Sequence, residues 1–415
     1  MPTPRKRVRV RQVLAGACAV PLVLSACGGG SDAPSGGSSG AAAVTSLRVL
    51  DYYANEPDNT VVQQTVEACG TQIGVKIERE AVPGDKLIAK VLQQSSSKTL
   101  PDVLMLDNPD LQQIAASGAL APLDDFGLKA DGYQQGVVDA STYEGKLYGL
   151  QPVTNTIALI YNKDILAEAG VSVPTTWDEL EAASKKLTKG DRYGVAFSAI
   201  NTFEGTWQFL PFMWSNGGEE KDIATQQTAD ALQLWVDLVK DGSASKSVVT
   251  WSQADVNDQF KAGKAAMMVN GPWQFPVLDS VAGLNYDVVP VPVPKAGMTS
   301  VAPLGGETWT VPQTGDKARQ AAAAKVVACL NSDANQLALA KARQTVPTRT
   351  SLLGEFVAQN PKMKGFTDAV QTARSRTGQL GPDWPKAATK IYTAMQSAMT
   401  SGEAPLSALQ QAQAG

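Results

Sequence analysis

The chain has 415 residues, with 36 Lys plus Arg against 40 Asp plus Glu, a net charge of −4 and no histidine. Without histidine there is no Ser–His–Asp or Cys–His nucleophilic centre, no His-ligated zinc and no imidazole acid–base chemistry. The acidic balance lacks the basic excess or stripe of a nucleic-acid binder.

Arg5, Lys6, Arg7, Arg9 and Arg11 open the chain, and no acid precedes Cys27. An apolar stretch follows over 13–26, interrupted by Pro21. It is shorter than the roughly 20 residues that cross a bilayer and suits the apolar region of a signal peptide. Leu24-Ser25-Ala26-Cys27 resembles the bacterial lipobox, in which small residues admit the signal peptidase and the cysteine thiol takes a lipid. An ordinary secretory signal, leaving Cys27 as a free thiol, is the other reading. The expectation is a signal peptide over 1–26, lipidation at Cys27 and a Gly/Ser tether over 27–43, too poor in apolar residues to fold. The glycines after Cys27 have no neighbouring strand or lysine and so make no phosphate loop. Cys18 leaves with the signal. Cys69 and Cys329 remain, either as a disulfide in an oxidising compartment or as two buried free thiols.

Past the tether, strand and helix patterns alternate. Apolar runs at 46–54, 75–80 and 101–108 read as strands, with helical patterns at 59–74 and 85–95 between them. The run ending at Asp107 and Asn108 is continuous enough for a strand buried on both faces. A second set starts near 146: strands at 156–164 and 192–198, a helix at 174–188 with a Thr cap and acidic first turn, and an amphipathic helix at 229–242. Residues 260–275 give a helix end, a strand and a turn. Residues 286–294 are extended and proline-rich, compatible with an edge strand or a crossing segment. Helical patterns then dominate at 317–331, 334–343, 350–359, 363–374 and 386–400. The fold class is α/β with mainly parallel sheets, and the length suits two domains or one elaborate one.

No GxxxxGK[ST] and no GxGxxG after a strand is present, so no nucleotide and no cofactor is implied. Carboxylate-pair chemistry of the glycosidase kind stays open, but nothing singles out a pair. The eight tryptophans are more informative. Sugars present apolar C–H faces ringed by hydroxyls, so their sites combine aromatic platforms with polar partners. Trp235 lies on the apolar stripe of its helix and Trp177 in a first turn, both as packing, while Trp251 is ambiguous. Trp207, Trp273, Trp309 and Trp384 stand at element ends and turns. Asp107 and Asn108 follow a buried strand, where open α/β sheets bind ligands; capping the next helix is an equal alternative.

Tyr161-Asn162-Lys163-Asp164, Ala169-Gly170 and Pro174-Thr175-Thr176-Trp177-Asp178-Glu179-Leu180 together resemble the signature of ABC-transporter extracellular solute-binding proteins of the maltose-binding type. Gly263-Lys264-Ala265-Ala266-Met267, leading to Asn270-Gly271-Pro272-Trp273, resembles the second hallmark of that family. Pro101-Asp102-Val103, Gly118-Ala119-Leu120 and Asn216-Gly217-Gly218 also match, in order along the chain. The resemblance implies a two-lobed, periplasmic-binding-protein-like (type II) fold with a ligand cleft between the lobes. The first lobe would comprise 44–153 plus 285–313 and the second 154–284 plus 314–415. It implies a monomeric, non-enzymatic lipoprotein on the extracytoplasmic face of the membrane, delivering a carbohydrate to the transmembrane subunits of an ABC permease. A polyamine or glycerol phosphodiester, carried by the same fold, is the nearest alternative, and a secreted glycosidase a further one.

Carried over position by position, the resemblance implies ligand contacts at Asn55 and Glu56 in the first loop, Asp107 and Asn108 after the third strand, and Asn155 at a crossing. It adds Glu204, Trp207, Trp273, the Gly305-Gly306-Glu307 turn with Gly306 and Glu307 at the rim, and Trp384. Arg376 is a weaker correspondence. The basic residue that some sugar binders keep in the first loop is replaced here by Glu56.

Overall fold

The computed structural model describes residues 43–371 and 373–415. The expected signal peptide, Cys27 and nearly all of the tether lie outside them.

Two sheets organise the chain. The first has five strands in the order Lys76–Ala81, Ser46–Asp51, Val103–Asp107, Glu307–Thr310, Gly149–Leu150. The first three run parallel, and Glu307–Thr310 lies antiparallel between Val103–Asp107 and Gly149–Leu150. Val103–Asp107 is buried along VLML and half-open only at Asp107, as a central strand covered on both faces requires. Helices Asp58–Ile73 and Lys317–Leu330 pack on this sheet through Val62, Val66, Ala323, Val326 and Val327. Cys69 and Cys329 join the two helices in a disulfide, which resolves the open pairing.

The second sheet has four strands in the order Tyr286–Val289, Ala158–Asn162, Ala265–Asn270, Tyr193–Ala196. Ala265–Asn270 is parallel to Tyr193–Ala196 and antiparallel to Ala158–Asn162. Helix Trp177–Leu187 begins in a reciprocal cap between Thr176 and Glu179, which satisfies two orphan backbone donors. Helices Phe203–Ser215, Gln226–Lys240 and Trp384–Gln396 complete this layer. Trp235 is its centre: fully buried, with Phe197, Phe209 and Phe212 at ring-centroid distances of 4.2, 5.3 and 5.4 Å. Trp177 donates to the Pro292 carbonyl at 3.1 Å, a packing role with its polar end satisfied.

The sheets do not divide where the resemblance implied. Tyr286–Val289 pairs with Ala158–Asn162 as an edge strand of the second sheet, so the chain returns to the first sheet only between 289 and 307. Helix Lys317–Leu330 still packs on the first sheet, so the last crossing lies beyond 330 and not at 314. The crossings pair with one another: Val153–Thr154 is antiparallel to Val346–Pro347, and Asn155 bridges Gly305. Among the described residues no helix is long and apolar enough to cross a membrane.

Candidate functional site

The carboxyl ends of the first sheet's central strands converge on the crossing at 304–307. The Asn108 amide donates to the Gly306 carbonyl at 3.1 Å. Gln151 Nε2 and Thr154 Oγ1 donate to the Gly305 carbonyl at 2.9 and 2.8 Å. These bonds satisfy a buried irregular backbone that would otherwise cost free energy. Both glycines are sterically required. A Cβ on Gly305 would fall 2.0 Å from Asn155 Oδ1 and 2.6 Å from Trp207, and one on Gly306 would fall 2.1 Å from Gln151 Nε2. Gly306 also adopts φ of 112°, which side chains disfavour. Asn155 is itself buried against this turn.

Asp107 and Asn108 face a residue that the sequence barely marks. Arg376 forks onto Asp107, with Nη1 to Oδ2 at 2.9 Å and Nη2 to Oδ1 at 2.6 Å, and Nη2 also donates to Asn108 Oδ1 at 3.0 Å. The guanidinium lies 4.5 Å from the Trp207 ring centroid and 5.5 Å from that of Trp384. Behind the pair, Asp110 is buried with Oδ1 unpartnered. Burial chiefly, and then the Asp107 charge, push its carboxyl up to about 8, against the pull of Arg376.

The two tryptophans beside Arg376 depart from the expected platforms. Trp207 is 6 % exposed and wedged between Arg376 and Gly305. Trp384 is 0 % exposed, in the first turn of its helix with Phe203 edge-on at 5.6 Å. It supports the site from below and offers a ligand no face here. Trp273 differs: it is half-buried, in the 3-10 turn Pro272–Gln274, with its ring over Gly271. Of the three predicted aromatics it keeps the most open surface.

Glu307 is buried and not at a rim. Its oxygens accept the hydroxyls of Tyr52 at 2.7 Å and Tyr53 at 2.5 Å, and Arg343 stands 3.5 Å away. The turn ends at Gly306, and Glu307 begins a strand that points it into the lobe. Glu204 lies in the first turn of Phe203–Ser215 and accepts the Gln253 amide; burial raises its pKa against that bond. Asn55 and Glu56 are exposed, with Glu56 Oε2 accepting the Thr60 amide at 3.2 Å. A groove of about 660 Å³ on the C-terminal helices, lined by Lys390, Ser397, Glu403 and Gln411, reaches none of these residues.

The profile of the family described as bacterial extracellular solute-binding protein matches residues 64–365. The chain belongs to this family. It is 26 % identical over 330 residues to the maltooligosaccharide ABC transporter solute-binding lipoprotein of Streptococcus pneumoniae, covering 74 % of this chain and 73 % of that one. It is 26 % identical over 416 residues to the galactooligosaccharide-binding protein of Bacillus subtilis, covering 95 % and 93 %. Among solved structures, the GacH receptor of Streptomyces glaucescens, known unliganded and with acarbose, superposes with a TM-score of 0.79 at 28 % identity, over 89 % of this chain and 97 % of that one. The two sheet layers are therefore the two lobes of a solute-binding protein of the maltose-binding type.

Residues of this solute-binding protein that sequence reasoning missed lie beside those it named. Tyr52 and Tyr53 share the post-strand segment with Asn55, and their adjacency there was a readable signal. Arg343 carried none: it is buried, pairs with Asp58 at 3.0 and 3.1 Å, and stacks 4.3 Å over Tyr53.

Proposed function

We propose that this solute-binding protein captures a neutral oligosaccharide between its lobes and delivers it to the membrane subunits of an ABC importer. It acts by binding and release, without covalent chemistry. Lobe closure is driven by whatever the ligand gains in the closed state over the open one.

The observation that carries this reading is charge compensation. Asp107 is held by Arg376, and Glu307 by two tyrosine hydroxyls and Arg343. Glu204 is half-buried and accepts the Gln253 amide, and desolvation raises its pKa toward the neutral form. A polyamine needs uncompensated carboxylates and a phosphodiester needs uncompensated cations. The Asp107–Arg376 and Glu307–Arg343 pairs offer neither, while their hydrogen-bonded oxygens suit hydroxyls and the half-buried indole of Trp273 suits a C–H face. The maltooligosaccharide, galactooligosaccharide and acarbose named for the relatives support the same class.

The lipid on Cys27 and the Gly/Ser tether would hold the cleft near its permease on the extracytoplasmic face, as the lipobox-like Leu24–Cys27 and the lipoprotein name of the pneumococcal relative support. The test is calorimetric titration with maltotriose, a β-galactotriose, spermidine and glycerophosphocholine, with product analysis of each incubated sugar. Stoichiometric binding of a sugar without products supports the reading. Binding of only a charged solute, or turnover of the sugar, overturns it.

A further inference from the structure

Arg374 and Arg376 stand two residues apart, and their guanidinium groups form ion pairs with carboxylates of opposite lobes. Arg374 pairs with Glu220 at 2.8 Å and with Glu219, and lies 4.5 Å over the Trp214 ring. These partners belong to the end of helix Phe203–Ser215 and the turn after it, in the second lobe. Arg376 instead reaches Asp107 and Asn108 at the end of a first-lobe strand. The segment, whose Arg374 backbone pairs with the crossing at 302–304, thus sends one guanidinium to the second lobe and the other to the carboxyl end of a first-lobe strand.

The pairing is built and not incidental. Arg376 is 3 % exposed, its fork is bidentate, and Trp207 and Trp384 flank its plane. A planar guanidinium matched to a carboxylate and shielded by aromatic faces is the strong form of this interaction. Asp107 keeps 28 % of its side chain exposed. Each of its oxygens gives one lone pair to the fork and retains another. Such a carboxylate still accepts a hydroxyl proton in a hydrogen bond but has no net charge left to offer an ammonium group.

We propose that Arg376 is a specificity-determining residue: by compensating Asp107 in place, it makes this corner of the cleft accept neutral hydroxyls and reject cationic solutes. The proposal rests on the carbohydrate reading for its natural ligand, but the charge logic is testable with probes alone. With Arg376 removed, Asp107 becomes an uncompensated carboxylate. With Asp107 neutralised, Arg376 becomes an uncompensated cation.

The experiment titrates wild type, Arg376→Gln, Arg376→Lys, Asp107→Asn and the double variant Arg376→Gln/Asp107→Asn with maltotriose, β-galactotriose, spermidine and glycerophosphocholine. Arg376→Gln is expected to bind spermidine at least tenfold tighter than wild type and to lose at least tenfold in affinity for the sugar that wild type binds. The double variant should lose the spermidine gain and recover part of the sugar affinity, which a purely structural role for Arg376 would not produce. Arg376→Lys, which keeps the charge and loses the fork, should show no spermidine gain. If Arg376→Gln fails to fold, Asp107→Asn decides the matter, with an expected tenfold gain for glycerophosphocholine. A folded Arg376→Gln with unchanged spermidine affinity, or a double variant no different from the single, overturns the proposal. If wild type binds spermidine and no sugar, the carbohydrate reading fails while the spermidine comparison still judges Arg376.

Discussion

Cys69 and Cys329, 260 positions apart in the chain, are bonded across two neighbouring helices of the first lobe. The bond fastens the first helix of that lobe, Asp58–Ile73, to a helix that the chain forms after its first excursion into the second lobe and before its last crossing. In the chain-entropy view a loop of this length restrains the unfolded state by about 5 kcal/mol at most, and measured gains are often smaller. Cys69→Ala/Cys329→Ala, or reduction of the wild type, is therefore expected to lower the melting temperature by roughly 5 °C for a chain of this size. Scanning calorimetry with and without reductant checks this. An unchanged melting temperature would mean that the bond is absent in solution or that native packing alone holds the helices.

Trp273 keeps open surface where Trp207 and Trp384 are covered. Truncating it removes a half-buried ring that also packs on Gly271 and the edge of the second-lobe core. Trp273→Ala should weaken sugar binding tenfold or more, in line with about 1.5 kcal/mol for an aromatic contact of this kind. The melting temperature should move by only a few degrees. An unaltered dissociation constant in calorimetric titration would remove Trp273 from the site.

Much of the fold was legible because its elements carry strong periodicity. The VLML run before Asp107, the Thr176–Glu179 cap and the apolar stripe around Trp235 each fold as their patterns dictate. The lobe boundaries were not legible, since the chain changes lobe within irregular segments whose partners lie far away in sequence, as Asn155 with Gly305 shows. Glu307 was misplaced at a rim for a related reason. Two glycines announce a turn, but nothing local shows that the next residue meets Tyr52 and Tyr53. Arg376 is the extreme case: its carboxylate partner is 269 positions distant and its own neighbourhood has no period.

Arg343 is buried against two carboxylates, Asp58 and Glu307, and a tyrosine hydroxyl. Removing the cation strands Glu307 in a low-dielectric interior with only the two tyrosine hydroxyls. Breaking one partner of a buried ionic group costs about 3–5 kcal/mol. Arg343→Met should therefore lower the urea midpoint substantially. Glu307→Gln combined with Arg343→Met should recover part of that loss, because no stranded charge remains on Glu307. Equilibrium unfolding of the two variants measures the difference, and a double variant weaker than the single would contradict this account of the network.

Asp110 gives the molecule a pH dependence whose sign follows from its surroundings. Its carboxyl is raised from 3.8 to about 8 by burial and by the neighbouring Asp107 charge, with Arg376 opposing. Between those values the folded state holds a proton that the unfolded chain releases. Stability contributed by the neutral acid is thus fully present below about pH 4 and is lost progressively as pH rises to about 8. Asp110→Asn replaces the acid by a neutral group of similar shape that needs no proton. Its melting temperature should match that of the wild type near pH 4 and exceed it by a margin that widens up to pH 8, then levels off. Melting curves at one-unit pH intervals would show the divergence. Parallel curves for the two proteins would mean that Asp110 titrates in the ordinary carboxylate range, and that water reaches the space behind the Arg376–Asp107 pair.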